Sequence, residues 1–301
     1  EKNNMDLNMW RWFLLFVTPV ALSAEMGVDE FVADIHQAEW AFSGTPMVCT
    51  LRHEIPGYGT ASFEQRAGKP LGFSIEAVKR NPNEGKALLK EMPPAWIHGA
   101  RTAEPVEITL ARGRTPVRAD TEQSEWLLDA LKRGWGCAVE HDDWRLKNRR
   151  ARAVVSPVNF QKSFSEFQDC VSGLLPYTLE DVRFKEFRYQ SGQMQPSRSM
   201  KQELDKIAKY VNASPDHYIV HIHGHTDNIG RRSSNRKVSD KRARQVADYL
   251  ASQGVSADRL KVKAYGESRP KVSNRTAKGR AANRRVEVRL IMGGKTASKK
   301  R

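Results

Sequence analysis

The spacing of apolar positions changes part-way along the chain. Between residue 25 and about residue 155 they fall in short runs broken by turn residues. Examples are Met47-Val-Cys-Thr-Leu51, Ile55-Pro-Gly-Tyr-Gly59, Ala61-Ser-Phe63 and Leu71-Gly-Phe-Ser-Ile75, then Glu107-Ile-Thr-Leu-Ala111 and Arg152-Ala-Val-Val155. Such runs predict strands, and Pro93-Pro94, Gly113 and Gly134 predict breaks between them. One amphipathic helix is predicted over 122–132, ended by Gly134. The sum is a β-rich unit, barrel- or sandwich-like. Phe160, Phe164 and Phe167 recur at helical spacing and predict a short helix inside a connector over 156–180.

From about residue 181 strand and helix patterns alternate. Strands are predicted over 182–189, 218–223, 260–265 and 286–290. Helices are predicted over 197–211, with Leu204, Ile207, Ala208 and Val211 on one face, and over 239–253, with Ser239 as N-cap and Gly254 at C′. A short helix is predicted over 277–283. The order is β-α-β-α-β, short helix, β, and the chain as a whole is of the α+β class.

Composition separates the same two halves. The 301 residues carry 50 Lys and Arg against 35 Asp and Glu, a formal net charge of +15. Residues 180–301 hold 29 of the bases and 12 of the acids, so the excess positive charge belongs to the second half. A basic half calls for an anionic partner or surface, of which nucleic acid is one kind. A mean hydropathy of −0.63 excludes a polytopic membrane protein.

The N-terminus has the pattern of an export signal. Arg11 precedes an apolar stretch from Trp12 to Leu22, and Ser23-Ala24 supply small residues for cleavage. The apolar stretch is shorter than the ~20 residues that span a bilayer. Residues 1–24 are therefore expected to be a cleaved signal peptide, and no Cys follows to carry a lipid. Export to an oxidising compartment lets three cysteines form one bridge. Three pairings are open; Cys49–Cys170 is the favoured one, because Cys137 in Gly-Trp-Gly-Cys137-Ala-Val suits a buried thiol.

The chemistry gathers in the second half. His223-Gly-His-Thr226-Asp227 leaves a predicted strand, Asn235 follows eight residues later, and Arg242 falls in the first turn of the predicted helix at 239–253. An arginine there adds to the positive end of the helix and favours an anion. Asp227 beside it favours a cation, so the pair suits a zwitterionic group.

Gly224-His-Thr-Asp227, Asn235-x-x-Val-Ser239-x-x-Arg242-Ala243, Gly266 with Pro270, and Gly279-Arg280-x-x-Asn283-Arg284-Arg285-Val286-Glu287 together resemble the OmpA-like peptidoglycan-binding domain. The likeness spans about 110 residues, four motif blocks in order. It implies that Asp227 holds the ammonium of meso-diaminopimelate and Arg242 its carboxylate. Asn235 and Arg284 would line the pocket, and Thr226 would support the loop. Two positions depart from the usual pattern, Arg188 after Phe187 and Val238 in the helix. The whole chain, with Val48-Cys49-Thr-Leu-Arg-His-Glu-Ile-Pro-Gly-Tyr-Gly59-x-Ala61-x-Phe63 in its β-rich half, resembles the MotY family of periplasmic components of sodium-driven polar flagellar motors. That resemblance implies MotX and the basal body as partners of the first half, peptidoglycan as partner of the second, and a role in seating stator units. The implied organisation is a β-rich partner-binding domain with connector over 25–178, an OmpA-like domain over 179–294 and a disordered basic tail over 295–301. A generic periplasmic wall-binding protein is the alternative.

Other readings fit less well. His221, His223, His225 and Asp227 alternate along one strand, as metal ligands can, but residues 228–301 contain no further His. The Arg231-Arg232 and Arg284-Arg285 pairs lack the interleaved aromatics that stack bases, so no nucleic acid is expected. No nucleophile stands at a fixed spacing from a base. Neither enzymatic activity, a cofactor nor a metal is expected.

Overall fold

The computed structural model describes residues 27–293. The expected signal peptide and the basic tail from 295 lie outside the described residues.

The first half contains β1 (Val28–Phe31), β2 (Trp40–Thr45), β3 (Val48–Ile55), β4 (Gly59–Arg66), β5 (Leu71–Ala77), β6 (Gly85–Met92), β7 (Val106–Leu110), β8 (Val117–Ala119), α1 (Thr121–Lys132), β9 (Gly136–Asp142), β10 (Arg150–Val155) and α2 (Phe160–Ser172). The strands form two five-stranded sheets, ordered β1-β10-β9-β6-β7 and β2-β3-β4-β5-β8. One hydrophobic core lies between them, with Leu51, Phe63, Ile75, Leu89, Val139 and Leu131 among its members. In β4 and β5 the burial alternates along most of each strand, so their sheet turns one face inward. The runs at 47–51 and 55–59 are parts of one hairpin, because Pro56-Gly57-Tyr58 forms its turn and Tyr58 N donates to Ile55 O.

Helix α2 differs from its expected place in a connector. Phe160, Phe164 and Phe167 are buried in the first core, and Ser163 Oγ donates to Trp40 O at 2.7 Å. The three phenylalanines need a partner face, and α2 finds it mainly against β2 and β3. The Cys49–Cys170 disulfide joins β3 to α2, and Cys137 remains a buried free thiol whose Sγ donates to Leu127 O. Burial pushes that thiol's pKa up.

Two histidines are buried inside this half. His141 lies 2.7 Å from the Tyr58 hydroxyl at Nε2 and donates from Nδ1 to Asp142 O. His53 receives the Ser156 amide at Nε2, donates from Nδ1 to Glu39 O and stacks on Trp40. Burial lowers both pKa values.

The second half begins with a helical turn, α3 (Leu179–Val182), whose last residue takes the first position of the strand expected over 182–189, so β11 is the shorter Phe184–Arg188. The Thr178 and Asp181 side chains close a reciprocal cap that bends the chain into that turn. Then follow α4 (Arg198–Ala213), β12 (Tyr218–His225), α5 (Arg232–Ser252), β13 (Leu260–Gly266), α6 (Ala277–Asn283) and β14 (Arg285–Met292). The sheet runs β11-β14-β12-β13, and only β12 and β13 are parallel. A second core gathers Leu204, Ile207, Val211, Val220, Ile222, Val246, Leu250 and Val288 between the sheet and α4 and α5. Met47, Leu175 and Tyr177 pack against this core from the first half, and Leu175 N donates to Pro46 O.

Helix α5 starts seven residues before the expected position. Ser239 is therefore in the helix interior and is not a cap. Its Oγ accepts from Gly266 N at 3.0 Å and donates to Arg236 O at 2.9 Å.

Two outcomes are expected. Reducing the disulfide, or replacing Cys170 by Ser, removes a constraint on a 121-residue separation and lowers stability by about 4–5 kcal/mol in the chain-entropy treatment, read as a fall in the urea midpoint. The two histidines have lowered pKa values, so their stabilising contribution is complete above the unfolded-state value of about 6.5 and is lost as the pH falls below it. Melting temperature is expected to fall between about pH 7 and 5, and the His141→Gln variant is expected to show a shallower fall; a parallel profile would refute this.

Candidate functional site

The site forms where β12 ends, beside α5 and the start of β14. Helix and strand come unusually close here. A Cβ on Gly224 would sit 2.1 Å from Ser239 O, so only glycine allows this approach. The Ser239–Gly266 hydrogen bond ties the same stretch of helix to the end of β13. Gly266 has φ +57°, the left-handed region that suits glycine. These two contacts fix the rotation of α5. Asn235, Ser239, Arg242 and Ala243 then share its buried face.

Arg242 stands in the third turn of α5, away from the helix end, so the dipole argument made from a start at 239 does not apply. Its placement comes from burial. The residue is 2% exposed, its Nε donates to Gln193 O at 2.8 Å and an Nη donates to Gln190 O at 3.3 Å. The guanidinium lies 4.9 Å from the centre of the Tyr189 ring. Among the described residues no carboxylate pairs with it, and burial lowers its pKa.

Asp227 is buried just beyond β12. One carboxylate oxygen accepts from Arg284 Nη1 at 2.8 Å, and the other accepts from Ile229 N at 3.2 Å. Arg284 also donates from Nε to Tyr189 O. Asn235 donates from Nδ2 to both Asp227 O at 3.3 Å and Glu267 Oε2 at 2.5 Å, holding the loop to the segment after β13. Thr226 N donates to Gly266 O at 2.9 Å. The Thr226 and Tyr189 hydroxyls are buried and find no hydrogen-bond partner among the described residues. Burial raises the Tyr189 pKa to about 12, so its hydroxyl keeps its proton and remains a donor.

All five residues expected from the sequence thus meet in one place. Arg284 does more than line it, since it neutralises Asp227. The trio of Asp227, Arg284 and Arg242 carries one excess positive charge, and a buried cation without a counter-ion is costly until an anion joins it. The site therefore suits a carboxylate at Arg242, with an ammonium sharing Asp227 with Arg284. Sequence reasoning missed Tyr189, Gln190 and Gln193. All three act through backbone carbonyls, which no residue type reveals, and Tyr189 acts also through its ring.

The neighbouring charges have other partners. Arg285 donates to Glu287 at 2.9 Å, while Asp240 pairs with Arg244. The buried Asn283 amide accepts from Lys271 N and Val272 N and donates to Val272 O and Asn274, shaping the loop before α6. His221 and His223 lie on the open face of the sheet. His225 is buried, stacks on Tyr265, and burial pushes its pKa down to about 4. No grouping of three potential metal ligands occurs among the described residues, nor does a helix long and apolar enough to cross a membrane.

Residues 31–176 match the MotY N-terminal domain, and residues 187–284 match the OmpA family. The sodium-type flagellar protein MotY of Vibrio parahaemolyticus is 31% identical over 271 residues, 89% of this chain and 92% of that protein. Outer membrane protein A of Bordetella avium is 40% identical over 91 residues, 30% of this chain and 46% of that one. The peptidoglycan-binding protein ArfA of Mycobacterium bovis is 42% identical over 85 residues, 28% and 26% of the two chains. The solved C-terminal domain of Helicobacter pylori MotB is 23% identical, with 36% of this chain and 86% of that one covered at a TM-score of 0.34. Near-complete mutual coverage with the Vibrio protein, together with the two family matches in this order, shows that the chain belongs to the MotY family of flagellar proteins, with an OmpA-family second half.

Proposed function

We propose that the protein is a non-catalytic, exported component of the flagellar motor that anchors to the cell wall in the periplasm. The two cores then correspond to two working domains, residues 25–178 and 179–294. The second grips uncrosslinked meso-diaminopimelate on peptidoglycan stem peptides. Arg242 takes the carboxylate, and Asp227 takes the ammonium. Asn235 and Arg284 hold Asp227 in place, while Thr226 and Tyr189 offer their hydroxyls. The first domain meets MotX and the basal body and helps to seat the stator units.

The observation that carries the wall-binding reading is the buried Arg242 guanidinium with no carboxylate among the described residues. A solvated basic face would leave its arginines in water. This one is held by two backbone carbonyls and an aromatic ring, in a site that already contains a neutralised carboxylate. Zwitterion recognition follows from that charge count. Each wall contact is individually modest, and many copies anchored together would multiply the grip.

Co-sedimentation of the full chain with isolated peptidoglycan sacculi tests this reading. The wild type is expected to pellet with the wall, and the Asp227→Ala, Arg242→Ala double variant, shown to be folded by circular dichroism, is expected to stay in solution. Each single variant is expected to lose about 2–5 kcal/mol of binding, the usual cost of breaking a desolvated charge pair. Equal pelleting of wild type and double variant would assign binding to the basic surface and refute the clamp. A soluble muropeptide with lysine in place of diaminopimelate lacks the side-chain carboxylate. It is expected to bind at least about tenfold more weakly, because Arg242 stays unpaired. Equal affinity would remove Arg242 from the mechanism.

A further inference from the structure

We infer that the outer edge of β2 is a docking site for an extended, lysine- or arginine-bearing segment of a partner protein, added as a further strand.

Three observations converge on this edge. The three sheets have six edge strands: β1, β7, β2, β8, β11 and β13. Five carry charged residues: Asp29 and Glu30 in β1, Glu107 in β7, Arg118 in β8, Lys185, Glu186 and Arg188 in β11, and Lys261 and Lys263 in β13. Charges at sheet edges discourage unwanted strand pairing. Strand β2, Trp-Ala-Phe-Ser-Gly-Thr, carries no charge and no proline.

Beyond Trp40 its outward backbone groups are also free among the described residues. Ser163 Oγ donates to Trp40 O, which identifies Trp40, Phe42 and Gly44 as the residues facing away from β3 by the alternation of an antiparallel pair. Trp40 O is satisfied in this way. The outward amide and carbonyl groups of Phe42 and Gly44 meet no partner among the described residues.

The surroundings then select the partner. Two clefts between β2 and α2 share Phe42 and Glu166. One, of about 740 Å³, has Trp40, Phe160 and Glu39 in its walls; the other, of about 410 Å³, has Pro46 and Asp169. An added strand projects alternate side chains to the same side, and two adjacent clefts suit residues i and i+2. Aromatic walls with acidic rims fit the aliphatic stem and charged head of Lys or Arg. Glu39, Glu166 and Asp169 have no ion-pair partner among the described residues, and Lys162 is the one base lining either cleft. This site lies in the first half and does not depend on the wall-binding reading.

The test uses the full chain and an acetylated Lys-Thr-Lys-Thr-Lys peptide at low ionic strength. Saturable binding is expected, with slowed hydrogen exchange at the Phe42 and Gly44 amides. The Glu-Thr-Glu-Thr-Glu peptide is expected not to bind. The lysine peptide methylated on alternate backbone nitrogens, which cannot extend the ladder, is also expected not to bind. Replacing two exposed carboxylates, Glu166→Gln with Asp169→Asn, should weaken the lysine peptide about tenfold, on the order of one or two partly screened charge pairs. Absence of saturable binding overturns the inference. So does binding that leaves both amides unprotected, or equal binding by the methylated peptide, since either outcome means charge attraction without strand addition.

Discussion

The second half depends on how closely α5 lies against β12 and β13. Gly224 removes the one side chain that would hold the helix away, and Ser239 replaces that missing bulk with a hydrogen bond to the Gly266 amide. Together they set the helix's rotation and height. Arg242, less than one turn beyond Ser239, is thereby carried under the loop that bears Asp227. Without that approach the guanidinium would point into water, where its pairing energy would be small. The polar site therefore rests on a steric fact about a glycine in a strand.

The charges around the site are sorted by partner. Arg285 and Arg289 share Glu287, Lys271 and Arg188 share Glu186, and Arg284 holds Asp227. The sequence shows only a crowded basic segment. The structure resolves it into arginines that finish a network and one, Arg242, that is desolvated without an opposite charge. Most of the half's large positive excess stays at the surface, where it gives the domain a long-range attraction for an anionic polymer.

The sequence was most informative where periodicity was strong or a motif was local. The second half's order of strands and helices was legible from residue 197 onward, and so was the grouping of Asp227, Arg242, Asn235, Thr226 and Arg284, because their spacing is carried by a recognisable motif. The beginning of α5 was not. Residues 232–238 contain one apolar residue, Val238, so no amphipathic stripe announces the first two turns, and Ser239 imitates a cap. The strand β9 was hidden for a different reason. It is buried over most of its length, so its burial does not alternate, and it includes Glu140 and His141, which are satisfied by partners distant in sequence. Helix α2 was found but misplaced, since three phenylalanines on one face say that a helix is buried without saying against what.

The bond between Cys49 and Cys170 also has a consequence for the order of events in synthesis. A chain made from its N-terminus presents Cys49 first, Cys137 next and Cys170 last. The first partner to become available to Cys49 is thus the wrong one. What prevents that union is the sheet itself: Cys137 lies in β9, its sulfur turned toward Leu127 of α1 and almost wholly covered. Once α1 and β9 have packed, the competing thiol is out of reach of any oxidant. Covering Cys137 thus leaves Cys49 to wait for the last helix of its own half.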